Sequence, residues 1–147
     1  MPCLIDTNVL VYSSVRESPF HDVARERLAS LRAAGHELVV TRQVLREYVS
    51  VVTRPNVLAI PRSPGDAVED ARKFTSLFQV LPEAPTALEL WLQLVADHAI
   101  IGPAVHDTYL VATALACGTT HLLTNNPRHF APYQGLTVLP LVEHGVR

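Results

Sequence analysis

Short apolar runs alternate along the chain with longer segments in which apolar residues recur at helical spacing. The short runs have the length and composition of buried strands, and they lie at residues 3–6, 37–40, 79–81, 121–124 and 137–141. The longer segments predict helices, and they cover residues 7 to about 12, 20–34, 41–53, 63–78, 85–100 and 107–117. Strands that alternate with helices favour a mostly parallel sheet with helices on both faces. The predicted fold class is therefore α/β, with one domain over residues 1–147 and a short central sheet flanked by helices.

Residues that typically begin or end helices occur at the boundaries of several predicted helices. Thr41 is a good N-cap for the helix that follows it. Arg54-Pro55 ends that helix, because a proline disfavours helical backbone in the residue before it. Gly102-Pro103 separates the last two long helices, and Asp107 opens the second of them. That second helix is apolar almost all round, which predicts that it is buried.

Composition excludes several classes of protein. Hydrophobic residues make up 48% of the 147 residues and charged residues 18%, as in an ordinary globular chain rather than a disordered one. No apolar run is long enough to cross a bilayer, and the N-terminus lacks the basic region of a signal peptide. Cys3 and Cys117 lie in apolar segments and indicate free core thiols in a reduced compartment. We therefore expect a cytoplasmic protein of bacterial or archaeal type that does not associate with membranes.

The basic residues are unusual in kind and in position. All but Lys73 of the twelve are arginines, and Arg42, Arg46, Arg54 and Arg62 fall in one stretch. The guanidinium is a planar fork of donors that suits contact with phosphate. The alternative is a general preference for arginine over lysine, and the net charge of −2 argues mildly against a nucleic-acid binder.

Four polar residues occupy equivalent places in the predicted fold. Asp6 follows the first strand, Glu47 lies in the helix after the second, Asp107 opens the buried helix, and Asn126 follows the strand that ends at Thr124. The carboxyl ends of parallel strands meet at one edge of a sheet, so these side chains can converge there. Hard divalent cations such as Mg²⁺ take carboxylate oxygens as ligands. Such a site can activate water and stabilise charge on a phosphodiester.

Each of the four residues also has a structural interpretation. Asp6 and Asp107 can each cap a helix, and Asn126 before Pro127 is a common turn dipeptide. Glu47 can be a surface acid paired with Arg46 or Arg54. However, apolar neighbours at helical spacing place Glu47 on a partly buried face, where an unpaired carboxylate is costly. The joint placement of all four at one edge favours a functional site.

The same residues lie within motifs that resemble the PIN-domain family, and more specifically the VapC-type toxin nucleases of prokaryotic toxin–antitoxin pairs. The motifs run in order over essentially the whole chain: Asp6-Thr7-Asn8-Val9-Leu10 after a strand, Gln43-Val44-Leu45-Arg46-Glu47-Tyr48, His106-Asp107 at an alanine-rich helix, and Leu122-Leu123-Thr124-Asn125-Asn126-Pro127-Arg128-His129-Phe130. The first motif alone is weak, whereas the four together are specific.

The resemblance implies an endoribonuclease that depends on Mg²⁺ or Mn²⁺, acts on RNA, forms a homodimer and is blocked by a cognate antitoxin. Asp6, Glu47 and Asp107 match the acidic metal-site positions of the family. Thr7 and Thr124 match the small polar positions beside them. Asn126 stands where many members have a fourth acid, which removes one negative charge and weakens the case for a second metal.

From these positions we expect a hydrolysis with no covalent enzyme intermediate. Asp6 and Asp107 would hold the metal directly and Glu47 directly or through water, while Asn126 would orient a water or a substrate oxygen. Arg42 and Arg46, one helical turn apart, could grip neighbouring phosphates. The predicted substrate-binding residues are Thr7, Asn8, Arg42, Arg46 and Thr124.

Other functions fit the sequence less well. A haloacid-dehalogenase-type phosphatase would have an aspartate in place of Asn8, and a response-regulator receiver would have a lysine after a late strand, whereas Lys73 lies mid-chain. The chain has neither the closely spaced histidines and cysteines of a zinc hydrolase nor a glycine-rich phosphate loop. His106 is expected to have a structural or hydrogen-bonding role. The rival from another class is a catalytically weak or inactive PIN-like module that binds RNA or protein without cutting.

Overall fold

Five short strands form one parallel sheet in the computed structural model, which describes residues 1–143. The strands are β1 (Pro2–Ile5), β2 (Glu37–Val40), β3 (Gln79–Val80), β4 (His121–Thr124) and β5 (Thr137–Pro140). Their order across the sheet is β3-β2-β1-β4-β5, and every neighbouring pair is parallel. The predicted α/β fold with a short parallel sheet is confirmed.

Helices connect the strands and cover the sheet. They are α1 (Thr7–Ser14), α2 (His21–Ala33), α3 (Arg42–Thr53), α4 (Pro64–Leu77), α5 (Thr86–Asp97), α6 (Ala104–Ala116) and α7 (Pro127–Phe130). The Thr41 hydroxyl accepts a hydrogen bond from the Val44 N–H at 3.1 Å, so the predicted N-cap of α3 is confirmed. Ser63 caps α4 in the same way, through the Asp66 N–H at 3.1 Å.

One prediction about the later helices was wrong, and one alternative interpretation does not hold. Asp107 does not open α6, because the helix begins at Ala104 with Pro103 as its N-cap residue, so Asp107 is the fourth residue of the helix, in its first turn. Proline suits the start of a helix, and Gly102-Pro103 therefore starts α6 as well as separating it from α5. The Asn126-Pro127 dipeptide does not form a simple turn but begins the short helix α7.

The core lies where β1 and β4 meet the flanking helices. Cys3, Leu4 and Ile5 of β1 are at most 1% exposed. The apolar stretch of α3 also faces the core, since Val44, Tyr48 and Val52 are fully buried. Helix α6 is buried through five consecutive residues, from Leu110 to Ala114, as its apolar pattern predicted.

Some apolar surface stays outside this core. Leu88 and Leu92 of α5 are about half exposed. Cys3 is buried and Cys117 partly buried, and both are free thiols. Within residues 1–143, no helix combines the length and apolar character that a membrane span requires.

Candidate active site

Asp6 lies at the point where β1 gives way to α1, and its backbone is extended. One carboxylate oxygen accepts a hydrogen bond from the Thr7 N–H at 2.8 Å, so the side chain caps α1. The other oxygen accepts one from the Thr124 hydroxyl at 2.7 Å, across the boundary between β1 and β4. Asp6 is only 8% exposed. The residue therefore caps a helix and also holds a carboxylate at the carboxyl ends of the parallel strands.

The Glu47 side chain reaches the same end of the sheet from α3. Its Oε2 accepts a hydrogen bond from the Thr7 hydroxyl at 2.8 Å, and its Oε1 accepts one from Gln43 Nε2 at 3.0 Å. In the described part of the chain it forms no ion pair with Arg46 or Arg54, so the surface-pair interpretation is wrong. Thr7 thus links two acids, because its N–H donates a hydrogen bond to Asp6 and its hydroxyl donates one to Glu47.

Gln43 was not predicted as a site residue. Besides Glu47, its Nε2 donates to the backbone carbonyl of His106 at 2.8 Å, and so it fastens α3 to α6. The signal in the sequence was its position four residues before Glu47, which places both side chains on one face of a helix. His106 takes part in the site through this carbonyl.

Asp107 enters from the first turn of α6, and its side chain is 39% exposed. Its Oδ2 lies 3.6 Å from His129 Nδ1. Sequence reasoning missed His129, because the short helix that carries it was not predicted. The histidine places a cationic partner beside the carboxylate whenever its ring is protonated.

These side chains surround one cleft of about 940 Å³. The structure brings together there all four predicted catalytic residues together with two predicted substrate-binding neighbours: Asp6, Glu47, Asp107, Asn126, Thr7 and Asn8. Thr124 is fully buried behind Asp6 and bonds it directly. The other walls are largely apolar and include Tyr12, Val51, Leu58 and Tyr133.

The arginines of the basic stretch separate in space. Arg54 lines the cleft, whereas Arg46 borders a second cavity beside it and Arg42 lines neither. Arg62 has a structural role, because it pairs with Asp70 at 3.2 Å and donates to the Ser14 carbonyl at 2.7 Å. A pair of arginines that grip neighbouring phosphates from α3 is therefore not assembled in this cleft.

The acids influence one another electrostatically. Burial raises the pKa of Asp6 from its ordinary value of 3.8 to about 6; the hydrogen bonds from Thr124 and Thr7 oppose this rise, while the charges of Asp107 and Glu47 add to it. Burial also raises the pKa of Asp107, with the nearby His129 opposing the rise and Glu47 adding to it. A bound cation would reverse these penalties, because it favours the ionised carboxylates.

The donor chemistry of the site fits a hard divalent cation. Three carboxylates face one cleft, and Mg²⁺ is usually bound by one or two carboxylates plus waters and substrate phosphates. Within residues 1–143, no three histidine, cysteine or acidic side chains are already gathered around one point at ligand distance.

Asn126 is exposed at the N-terminus of α7 and lines the cleft next to the acids. Its backbone N–H donates to the Thr124 hydroxyl at 3.0 Å, the same hydroxyl that donates to Asp6. Thr124 therefore links Asn126 to Asp6. The asparagine contributes an uncharged amide where a fourth acid would add a negative charge.

Known proteins share both the sequence pattern and the fold. Residues 3–135 match the PIN domain. Ribonuclease VapC48 of Mycobacterium tuberculosis is 30% identical over 135 residues, which cover 90% of this chain and 92% of that protein.

Among solved structures, VapBC2 of Rickettsia felis bound to promoter DNA superposes with a TM-score of 0.72 at 19% identity, over 95% of this chain and 98% of that chain. A toxin–antitoxin complex from Klebsiella pneumoniae superposes with a TM-score of 0.64 at 20% identity, over 96% of this chain and 98% of that chain. At these identities the superpositions show a common fold. The chain belongs to the PIN-domain family, as its motifs predicted, and within that family it is similar to the VapC ribonucleases.

Proposed function

We propose that this chain is a metal-dependent endoribonuclease and the toxin of a toxin–antitoxin pair. The observation that carries the proposal is that Asp6, Glu47 and Asp107 arrive from three separate elements and line one cleft at the carboxyl edge of the sheet. The similarity to a VapC ribonuclease over nearly the whole chain supports the same activity. The reaction would be hydrolysis of an RNA phosphodiester bond.

When bound, Mg²⁺ or Mn²⁺ would supply Lewis-acid polarisation of a phosphoryl oxygen and lower the pKa of water at the site. Asp6 and Asp107 would hold the cation directly, and Glu47 directly or through water. Thr7 and Thr124 orient the acids, because their hydroxyls donate to Glu47 and Asp6.

Substrate and water would be positioned by the uncharged and basic residues of the cleft. Asn126 would orient the attacking water or a substrate oxygen through its amide. Arg54 and His129 line the same cleft and carry the donors that a phosphate-rich strand needs. Because the acids make this cleft negative, such donors offset the repulsion between substrate and site.

We also propose the partners and the compartment that such a toxin requires. A cognate antitoxin would bind this chain and cover the cleft; the toxin–antitoxin complex that shares this fold supports the existence of such a partner. The half-exposed Leu88 and Leu92 of α5 support association with a second copy of the chain as a homodimer. Two free thiols support a reducing, cytoplasmic location. A monomeric mass in light scattering of the purified protein would refute the homodimer.

The decisive test of the activity is cleavage of mixed-sequence RNA in Mg²⁺, in Mn²⁺ and in EDTA. The wild type should cleave in either metal and lose activity in EDTA, and Asp6→Asn should be inactive throughout. Asp22→Asn is a matched control, because Asp22 is an exposed acid of α2 that does not line the cleft. Equal cleavage by wild type and Asp6→Asn would refute the assignment.

Two observations favour a second candidate, a PIN-like module that binds RNA or protein without cutting. Asn126 leaves the cleft one charge short of four acids, and no three candidate ligands in residues 1–143 are preassembled. Titration calorimetry separates the two functions. The nuclease predicts heat of Mn²⁺ binding that Asp6→Asn abolishes, whereas the binding module predicts no such heat in the wild type.

A further inference from the structure

A second cavity of about 340 Å³ adjoins the catalytic cleft. It is lined by polar and aromatic side chains of α3 and α6: Gln43, Arg46, Glu47, His106 and Tyr109. Glu47 and His106 also line the cleft, so the two spaces meet at one of the proposed catalytic acids. A strand that occupies the cleft can therefore continue into the second cavity.

We propose that this second cavity is a nucleotide subsite, in which one base of an RNA strand stacks on Tyr109 and an adjacent phosphate contacts Arg46. The inference rests on the proposed ribonuclease function and deepens it, because it assigns a place to a nucleotide that flanks the scissile bond. Tyr109 becomes a substrate contact that the sequence did not predict as such.

The chemistry of the lining suits a nucleotide. Sites for single strands combine cationic side chains for the backbone with aromatic side chains on which bases stack. Arg46 is exposed and makes no ion pair with any residue in the described part of the chain, so its guanidinium can contact a phosphate through two N–H donors. The half-buried Tyr109 and the exposed His106 supply two rings. The volume also lies within the roughly 300–1,000 Å³ of small-molecule sites.

The surroundings hold this cavity in shape. Trp91 meets Tyr109 edge to face, with ring centroids 5.6 Å apart, and its indole N–H donates to the Val105 carbonyl at 2.9 Å. Gln43 Nε2 bridges Glu47 and the His106 carbonyl, which sets the separation of α3 and α6. A site that is already ordered loses little conformational freedom when its ligand binds.

The position of Arg46 also balances the charge of the site. The cleft contains three acids, and a polyanionic strand that crosses it would be repelled without positive charge nearby. Arg46 directly precedes Glu47 in the chain, and both line the second cavity. Arg46 therefore supplies positive charge at the point where the RNA strand would pass from the acidic cleft into the second cavity.

The test is a measurement of RNA affinity by fluorescence anisotropy, with an end-labelled single-stranded RNA of mixed sequence. Asp6→Asn serves as the parent protein so that the probe stays intact. Tyr109→Ala should weaken binding about tenfold, as expected for the loss of one base stack. Tyr109→Phe keeps the ring and should bind within about twofold of the parent.

Arg46→Ala provides a second and independent measurement. It should weaken binding and reduce the slope of log Kd against log salt by about 0.7, the value for one phosphate contact on a single strand. Arg25→Ala is the matched control, because Arg25 is an exposed arginine of α2 that lines neither cavity. It should change the affinity little and the slope not at all.

The outcomes separate this proposal from the ribonuclease function. Unchanged affinity in Tyr109→Ala, together with an unchanged salt slope in Arg46→Ala, would overturn the subsite and leave the ribonuclease assignment standing. Since Arg46 is exposed, its variant keeps the proposal testable if Tyr109→Ala does not fold. If the wild type does not cleave RNA and the parent protein does not bind it, the ribonuclease function fails, and the subsite fails with it.

Discussion

Replacing Asp6 by asparagine should stabilise the folded chain at neutral pH when no metal is present. The pKa of Asp6 is raised from 3.8 to about 6, mainly by burial, with Asp107 and Glu47 adding to the rise. This difference corresponds to a penalty of about 3 kcal/mol against the folded state once the carboxylate is ionised in both states. Asparagine removes the charge and still caps α1. It weakens the bond from the Thr124 hydroxyl, which costs about 1 kcal/mol, so a net gain of about 2 kcal/mol is expected.

The dependence on pH identifies the cause. Between pH 3.8 and about pH 6 the folded state keeps a proton that the unfolded state has released, so stability falls as pH rises through this window. Asp6→Asn lacks this group, and its advantage over the wild type should shrink by about 2 kcal/mol between about pH 7.5 and pH 4.5.

Urea unfolding followed by circular dichroism, in EDTA at both pH values, measures this advantage directly. Asp22→Asn should stay within about 0.5 kcal/mol of the wild type, because Asp22 is exposed. A stability difference between Asp6→Asn and wild type that does not change with pH would refute the reasoning, as would a loss of stability at neutral pH.

Three further predictions concern the metal, a buried network and a cap. Mg²⁺ at about ten times its Kd should stabilise the wild type by about 1.4 kcal/mol and leave Asp6→Asn unchanged in scanning calorimetry; equal shifts would exclude the acids as ligands. Tyr48→Phe should cost about 1–3 kcal/mol in urea unfolding, because the buried hydroxyl donates to Asp70 at 2.8 Å and pairs with Ser14 at 2.7 Å; no loss would show that the network contributes nothing to stability. Thr41→Ala should cost about 1 kcal/mol in thermal unfolding, since it removes the cap of α3, and Thr41→Ser should retain most of the stability; equal losses in both would contradict a capping role.

The elements were predictable because their signals are local. An apolar run such as Cys3-Leu4-Ile5 forms a buried strand, and a threonine such as Thr41 caps the helix that follows it. The start of α6 was mistaken because Gly102-Pro103 both separates two helices and begins the second one. Periodicity alone cannot distinguish these two roles of a proline.

The site was predictable in its acids and less so in their surroundings. The acids could be placed because strand ends of a parallel sheet share one edge. Helical spacing places Gln43 beside Glu47. Its bond to the His106 carbonyl, like the contact of His129 with Asp107, spans a separation along the chain that a local pattern does not encode. For the same reason the sequence could not show which arginine of the stretch lines the cleft, which borders the neighbouring cavity, which faces solvent and which forms a structural ion pair.

The topology of the sheet explains why the acids meet at Asp6. Strand β1 lies at the centre, with β2 on one side and β4 on the other, so the connections from its end diverge and leave a crevice there. Thr124 approaches Asp6 from β4, and Thr7 joins it to Glu47, which lies on the helix that follows β2. The β4 side and the α3 side of the crevice are therefore both connected by hydrogen bonds to Asp6, the first directly and the second through Thr7.

Capping alone does not account for an aspartate at this position. Asparagine caps a helix about as well, and it would avoid the ionisation penalty that burial and the neighbouring acids impose on Asp6. What asparagine lacks is the negative charge. The charge destabilises the metal-free fold, and in the proposed function the same charge would attract a divalent cation, so one property accounts for both the cost at Asp6 and its proposed function. Because Asn126 adds no charge, cation binding at this site would depend more strongly on the three carboxylates.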